Sequence, residues 1–374
     1  MKRLVLSILL TILQIPLVSA HTDKLNTRIG GRFLLDGIGY FNAADTLSPC
    51  ANITDLRLTG TANYGDWFMR IDVGFDGNHL GMKDTFLQYS KNGNYFRIGH
   101  MLNSFGIDPA VSTYDYQFIN CANITGLFYF GRHIGASYIR SAPKYYFSVN
   151  AFAGDNISNI NTSMKQGFNA AARGVWRPIM EETRQLQFGV SALYRKPDTD
   201  KRTGLSNITL SSTGVTSLSS PNYQYLSLDD AKDQIQLNAE FLMVREKWML
   251  QSEYLATFIQ RDHADTYIAQ GAYIQAGYMI LGTGYGYDTP EAVPTAPLQP
   301  KSLQLLARYN FSLLNDPNTG LNGGNQQDIS VGLAYQFTKH VSSRLIWSYV
   351  NLDKHSPMGA RDLNMIQARI AFWF

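Results

Sequence analysis

Apolar and polar residues take turns along much of this chain, and that rhythm limits the backbone that can carry it. Over residues 328–337, Ile329, Val331, Leu333, Tyr335 and Phe337 occupy every second position against Asp328, Ser330, Gly332, Ala334 and Gln336. Ile235, Leu237, Ala239 and Phe241 repeat it against Gln234, Gln236, Asn238 and Glu240, as do residues 186–195 and 303–311. A period of two puts successive side chains on opposite faces of an extended strand, one face dry and one wet. Between these segments the connections alternate in length. Short ones carry turn chemistry at Gly65 and Asp66, at Asn92 and Gly93, and over residues 245–247 and 338–340. Long ones are expected around Cys50 and over residues 100–126, 154–167, 196–231 and 315–327. Tight turns at one end and long loops at the other describe an up-and-down meander.

Alternation alone does not say whether the dry face points inward, so a soluble sandwich or lipocalin-like barrel would also fit. Three features favour a membrane barrel. The segments run to about ten residues, longer than the usual strands of soluble proteins. The polar face carries charges on nearly every strand, which a packed soluble core could not bury without partners. The chain ends on an alternating strand closed by Phe374, which resembles the C-terminal signal of bacterial outer-membrane proteins. The expected fold is all-β: a transmembrane antiparallel up-and-down barrel with short periplasmic turns and long extracellular loops. Allowing roughly 22 residues per strand and connection gives about sixteen strands, an even number that leaves both termini in the periplasm.

The first residues read differently. Lys2 and Arg3 precede an apolar run broken at Gln14 and Pro16, then the small residues Ser19 and Ala20. That is the pattern of a cleaved export signal over residues 1–20, leaving residues 21–374 as one barrel domain. Losing Lys2 and Arg3 would take the net charge from +3 to +1, so the total implies no strongly charged partner and no nucleic acid. With 13% aromatic residues and 31 glycines, and no other long apolar run, the remainder is rich in strands and free of helical membrane spans.

Several short motifs then carry a resemblance. Gly31-Arg32-Phe33 with Asp36, Phe96-Arg97-Ile98-Gly99 and Ala172-Arg173-Gly174-Val175-Trp176-Arg177-Pro178 occur in the first half. Glu253-Tyr254, Tyr273-Ile274-Gln275-Ala276-Gly277-Tyr278, Ala307-Arg308-Tyr309 and Gly323-Gly324 followed by Asp328 occur in the second. In order, these seven resemble the phosphate-selective porin O and P family over essentially the whole mature chain. The resemblance implies an outer-membrane homotrimer of sixteen-stranded barrels, in contact with the lipid bilayer and lipopolysaccharide. Each barrel would hold a channel narrowed by inward-folded loops and passing small anionic solutes.

Electrostatics can be read independently of the resemblance. An arginine facing lipid costs about 2–4 kcal/mol at the bilayer midplane, so the charged faces belong to the lumen. This assigns twelve inward arginines: Arg28, Arg32, Arg57, Arg70, Arg97, Arg132, Arg173, Arg177, Arg195, Arg308, Arg344 and Arg369. Six acids share that face: Asp36, Asp72, Asp84, Glu240, Glu253 and Asp328. A positive wall in a low-dielectric channel would concentrate anions; pairing across strands would instead only stiffen the wall. In the third outward loop, residues 100–126, Asp108, Tyr114, Asp115 and Tyr116 are candidates for the constriction, with His100 and Asn103 at its entrance. The family's usual double arginine before the second strand is Asn52-Ile53 here. Its usual lysine after the fifth strand's arginine-glycine is replaced by His100-Met101-Leu102-Asn103, so a general porin is the safer expectation than a tight phosphate site.

Cys50 and Cys121, the two cysteines present, fall in the first and third outward loops, where an oxidising export route permits a disulfide. Gly282-Thr283-Gly284-Tyr285-Gly286 imitates part of a dinucleotide fingerprint, but no helix pattern follows. It opens instead a long connection, to about Lys301, on the short-turn side. Pro290, Pro294, Pro297 and Pro300 keep that connection out of the sheet, and the family resemblance implies that it narrows the channel. No cofactor or metal is called for, and no enzyme is expected. The alternatives are a barrel with a structural or adhesive role, or an outer-membrane hydrolase, with little conductance.

Overall fold

The computed structural model describes residues 24–42, 47–76, 79–154, 163–218 and 221–374; the expected export signal lies outside them. Sixteen antiparallel strands close into a barrel in simple sequence order. They are β1 (Asn26–Tyr40), β2 (Cys50–Tyr64), β3 (Trp67–Asp76), β4 (His79–Lys91), β5 (Asn94–Leu102), β6 (Arg132–Ala142), β7 (Tyr145–Ala153) and β8 (Phe168–Met180). The second half holds β9 (Arg184–Lys196), β10 (Ala231–Arg245), β11 (Trp248–Arg261), β12 (Tyr267–Leu281), β13 (Ser302–Asp316), β14 (Leu321–Thr338), β15 (Val341–Leu352) and β16 (Arg361–Trp373). The barrel closes where β1 pairs with β16, from Arg32 opposite Trp373 to Tyr40 opposite Met365. Beyond that register, Phe374 and Gly31 exchange backbone hydrogen bonds of 3.1 and 3.0 Å, so the terminal phenylalanine completes the seam.

The dry face points outward. Ile29, Ile98 and Val190 are 65%, 64% and 65% exposed, whereas Arg173 and Arg177 are fully buried. A soluble barrel would show the reverse. At one rim the turns are tight: Asn92 and Gly93 take φ of 51° and 75°, the left-handed pair that a two-residue hairpin needs to match strand twist. The start of β1 and the end of β16 sit at this rim, since Asn26 pairs with Asn63 beside the Gly65 turn and the Trp373 amide bonds the His340 carbonyl at 3.0 Å.

One expected loop is mostly strand. Residues 315–327 are polar and glycine-rich, but β13 runs to Asp316 and β14 starts at Leu321, with Asp316 opposite Leu321. The polar side chains sustain this extension: Asn325 Oδ1 accepts from the amides of Leu314 and Asn315 at 3.0 and 3.1 Å, and Asn315 Oδ1 from Gly324 at 2.9 Å. They serve the backbone at a register shift, so their polarity marks a bulge rather than a loop.

The lumen is not uniformly wet. The segment between β5 and β6 folds inward and carries a short helix, α1 (Asn123–Phe128). The segment between β9 and β10 contains a hairpin of Ile208–Ser212 and Gln224–Leu228. Phe105, Ile124, Leu127 and Phe128 from the first pack with Ile208, Leu210 and Leu226 from the second, and with Leu255, Ile259 and Tyr273 of the wall. This apolar plug fills the side of the lumen next to β11 and β12. The open cavity lies on the side of β1–β6.

Candidate channel constriction

The inward-folded segment after β5 is bolted to the wall by buried charges acting on its backbone. Gly106, at φ +79°, turns the chain so closely against Glu253 that an added Cβ would lie 2.3 Å from its Oε1. Glu253 then accepts from the amides of Ile107 (2.8 Å) and Asp108 (2.9 Å), from Asn238 Nδ2 (2.8 Å) and from Tyr273 Oη (2.7 Å). Further along, Arg344 donates to the carbonyls of Tyr114 (2.7 Å), Tyr116 (2.7 Å) and Gln117 (3.2 Å). Arg308 donates to Asn120 O at 3.0 Å. Arg369, paired twice with Asp36 at 2.6 Å, reaches Thr113 O at 3.4 Å. Arg32 donates to Ser112 Oγ (3.1 Å) and Thr113 Oγ1 (2.7 Å), and its guanidinium lies 4.9 Å from the Tyr114 ring, which stacks on Trp373.

From the short-turn rim, the proline-rich connection also enters the lumen, as a hairpin of Tyr285–Asp288 and Val293–Pro297. Arg173 holds it. Its guanidinium forks onto Glu240 with two bonds of 2.9 Å and donates to the carbonyls of Glu291 and Ala292, each at 2.9 Å. Arg177 adds bonds to Thr289 O (3.0 Å) and Tyr287 Oη (3.3 Å). The two inserted segments join where the Ala296 amide donates to Asp115 at 3.0 Å.

Between these segments and the wall of β1–β6 lies a cavity of about 830 Å³. Arg32, Arg57, Arg70, Arg97 and Arg132 line it from the strands. Five carboxylates line it too: Asp66 at the β2–β3 turn, Asp84 on β4, and Asp115, Asp288 and Glu291 on the inserted segments. Behind the wall arginines, Asp55 and Asp72 pair with Arg57 at 3.0 and 3.6 Å, and Asp72 with Arg70 at 2.9 Å. Arg132 pairs with Asp84 at 2.9 Å and Arg97 with Glu291 at 2.5 Å. Burial pushes Asp115 up to about 6, with nearby Arg344 and Arg32 pulling it back. Asp288 is also raised, by burial and then by Glu291.

The expected inward arginines therefore divide into two groups. Arg173, Arg177, Arg308, Arg344 and Arg369 lie inside the barrel, but they spend their donors on loop carbonyls and do not line the main cavity, which corrects the expected lining role of the first four. Arg195 stacks on Phe130, 3.7 Å from its ring centre, and Arg28 is exposed at the rim. The surplus of twelve arginines over six acids does not carry into the cavity. Of the constriction candidates, Asn103, Tyr114, Asp115 and Tyr116 line it. His100 and Asp108 do not: His100 Nδ1 lies 2.5 Å from Lys83 O, and Asp108 ties the loop to itself by accepting from Ala122 N (2.7 Å) and Thr125 Oγ1 (2.9 Å).

The expected disulfide is absent, and both cysteines are free. Cys50 opens β2 at the outer rim, with Sγ 3.6 Å from Leu218 O. Cys121 has been carried into the lumen with its loop, next to the carbonyl that Arg308 holds, and burial pushes its thiol up to about 12. Three site residues escaped the sequence reading. Asp55 stands two residues before Arg57 on β2 and shares its buried, inward face; the register shift in the β1–β2 pairing falls just before it, so period two from Arg57 already reaches it. Asp288 and Glu291 belong to the proline-rich connection, where period-two reasoning has nothing to say.

Known structures share this architecture at low sequence identity. A loop L8 deletion mutant of OmpT, an outer membrane protein of Vibrio cholerae, matches with a TM-score of 0.61 and 12% identity, covering 94% of this chain and 99% of that one. An anion-selective porin from Comamonas acidovorans matches at 0.60 and 10%, covering 94% and 100%. The outer membrane channel DcaP of Acinetobacter baumannii matches at 0.58 and 14%, covering 94% and 97%. No curated protein matches the chain. The family model for phosphate-selective porin O and P matches residues 54–374. An outward apolar belt, sixteen closed strands and loops folded into the lumen agree with that match, and the chain belongs to the phosphate-selective porin O and P family of outer-membrane channels.

Proposed function

We propose that the protein is a porin through which small hydrophilic solutes diffuse passively, along an off-centre path beside β1–β6. The observation that carries this reading is the arginine-lined cavity of about 830 Å³ left open beside the apolar plug. The lining guanidiniums are paired with Asp55, Asp72, Asp84 and Glu291, yet they still present positive charge on the wall side of the cavity, so anions are among the solutes. Their preference over cations is small at neutral pH because carboxylates share the lining. Assembly as a homotrimer, with lipopolysaccharide around it, is supported by family membership and by the trimer form of the structurally similar Vibrio cholerae OmpT.

Planar-bilayer recording tests both parts. Stepwise currents are expected, with a zero-current potential that moves toward anion preference as pH falls from 7.5 to 5. The direction follows from Asp115, which faces Arg32, Arg344 and Asp288. With its pKa raised to about 6 it is charged at pH 7.5 and neutral at pH 5, leaving the arginines less opposed. Asp115→Asn should remove most of that movement. Absence of stepwise current would defeat the porin reading; a shift toward cations on acidification would defeat the anion reading.

A further inference from the structure

The charges around the cavity are sorted by the segment that carries them. All five lining arginines stand on barrel strands, whereas the charged side chains that the two inserted segments present to the cavity are all acids: Asp115, Asp288 and Glu291. Of the wall acids, Asp84 is forked by Arg132 at 3.0 and 2.9 Å, Asp55 and Asp72 sit against Arg57 and Arg70, and Asp66, at the rim turn, lies 4.0 Å from Lys91. Asp115 and Asp288 make no ion pair among the described residues; each accepts only a backbone amide, from Ala296 and Glu291. Where the two faces meet they attract, as the Arg97–Glu291 pair shows.

A solute passing between such faces crosses a field directed from wall to insert. A simple anion gains on the arginine side what it loses on the acid side, and a simple cation the reverse. A solute with a carboxylate at one end and an ammonium at the other gains on both sides once it is aligned. We infer that the constriction favours small zwitterions, of the amino-acid or dipeptide class, over neutral or singly charged solutes of equal size. This rests on the porin reading above and specifies its solute.

Swelling of liposomes containing the purified full-length protein tests it, with glycylglycine as zwitterion, N-acetylglycinamide as neutral solute and N-acetylglycine as anion. At pH 7 an α-amino group is mostly protonated and an α-carboxyl group ionised, so glycylglycine is dipolar. It should enter at least about threefold faster than the neutral solute. The double variant Asp115→Asn and Asp288→Asn, close in shape to the native pair, should bring that ratio toward one, with glycylglycine entry read against neutral entry through the same variant. In the unmutated protein, lowering the pH to 5 should also reduce the ratio, because glycylglycine stays dipolar while Asp115 is neutralised. Neutral entry without zwitterion preference, or fastest entry of the anion, overturns the inference and leaves the porin standing. No swelling with any solute overturns both.

Discussion

Replacing Arg173 with leucine is expected to destabilise the folded barrel by about 3–5 kcal/mol, the usual loss when one partner of a buried ion pair is removed. Arg173 and Glu240 are both without exposed side-chain surface, joined by two bonds of 2.9 Å. The variant strands the Glu240 carboxylate in a space shaped for a guanidinium and leaves the Glu291 and Ala292 carbonyls without that donor. A lower midpoint in denaturant, read from the mobility of folded and unfolded forms on gels, is the measurement. Arg173→Leu combined with Glu240→Leu should recover much of the loss, because an apolar pair carries no unpaired charge. The double variant should still conduct abnormally, since the inserted hairpin has then lost its charged donor at Glu291 and Ala292, its carbonyls keeping the Gln187 bond to Ala292 O and the bonds to Thr289 O. A single variant as stable as the parent would mean that the pair is not a bolt.

Arg344→Ala should act on current more than on stability. Its three bonds to the carbonyls of Tyr114, Tyr116 and Gln117 fix the stretch of loop that carries Asp115 into the cavity. Hydrogen bonds to a charged group contribute about 1.5–3 kcal/mol each, enough that their loss lets this stretch move. Single-channel records should show larger open-channel noise and a changed mean conductance. The barrel should stay closed, because the β15–β16 register does not depend on this side chain. Quiet, unaltered channels from a folded variant would contradict the assigned role.

These bolts mark the boundary of what the chain's pattern discloses. Period two identified the strands, the lipid-facing side and the rim of tight turns, because burying one face against acyl chains constrains every second residue. It placed Arg173, Arg344 and Arg369 in the lumen for the same reason. Whether an inward arginine meets water or a carbonyl depends on which loop folds against it, and loop paths follow no period. Cys50 and Cys121 show the consequence: both belong to outward connections, yet one stays at the rim while the other descends with its loop. Asp55 shares the inward parity of Arg57 and was legible from the same alternation, whereas the polar residues after Asn315 were hidden by serving the backbone of a long strand. Within the third outward loop, Tyr114 and Asp115 were recognisable as polar groups with no strand to face. The neighbouring Asp108 looks alike in sequence but is buried by its bonds to Ala122 and Thr125.

The central claim is that ions cross through the cavity beside β1–β6 and not elsewhere. Ser112 lines that cavity beside Arg32. The most direct measurement is single-channel recording of Ser112→Cys, in a background where Cys50 and Cys121 are serine, before and after a bulky, water-soluble thiol reagent. A stepwise fall in conductance on modification, absent from Val190→Cys on the lipid-facing side, is expected. Currents that persist unchanged once Ser112→Cys has been modified would place the path elsewhere and contradict the assignment.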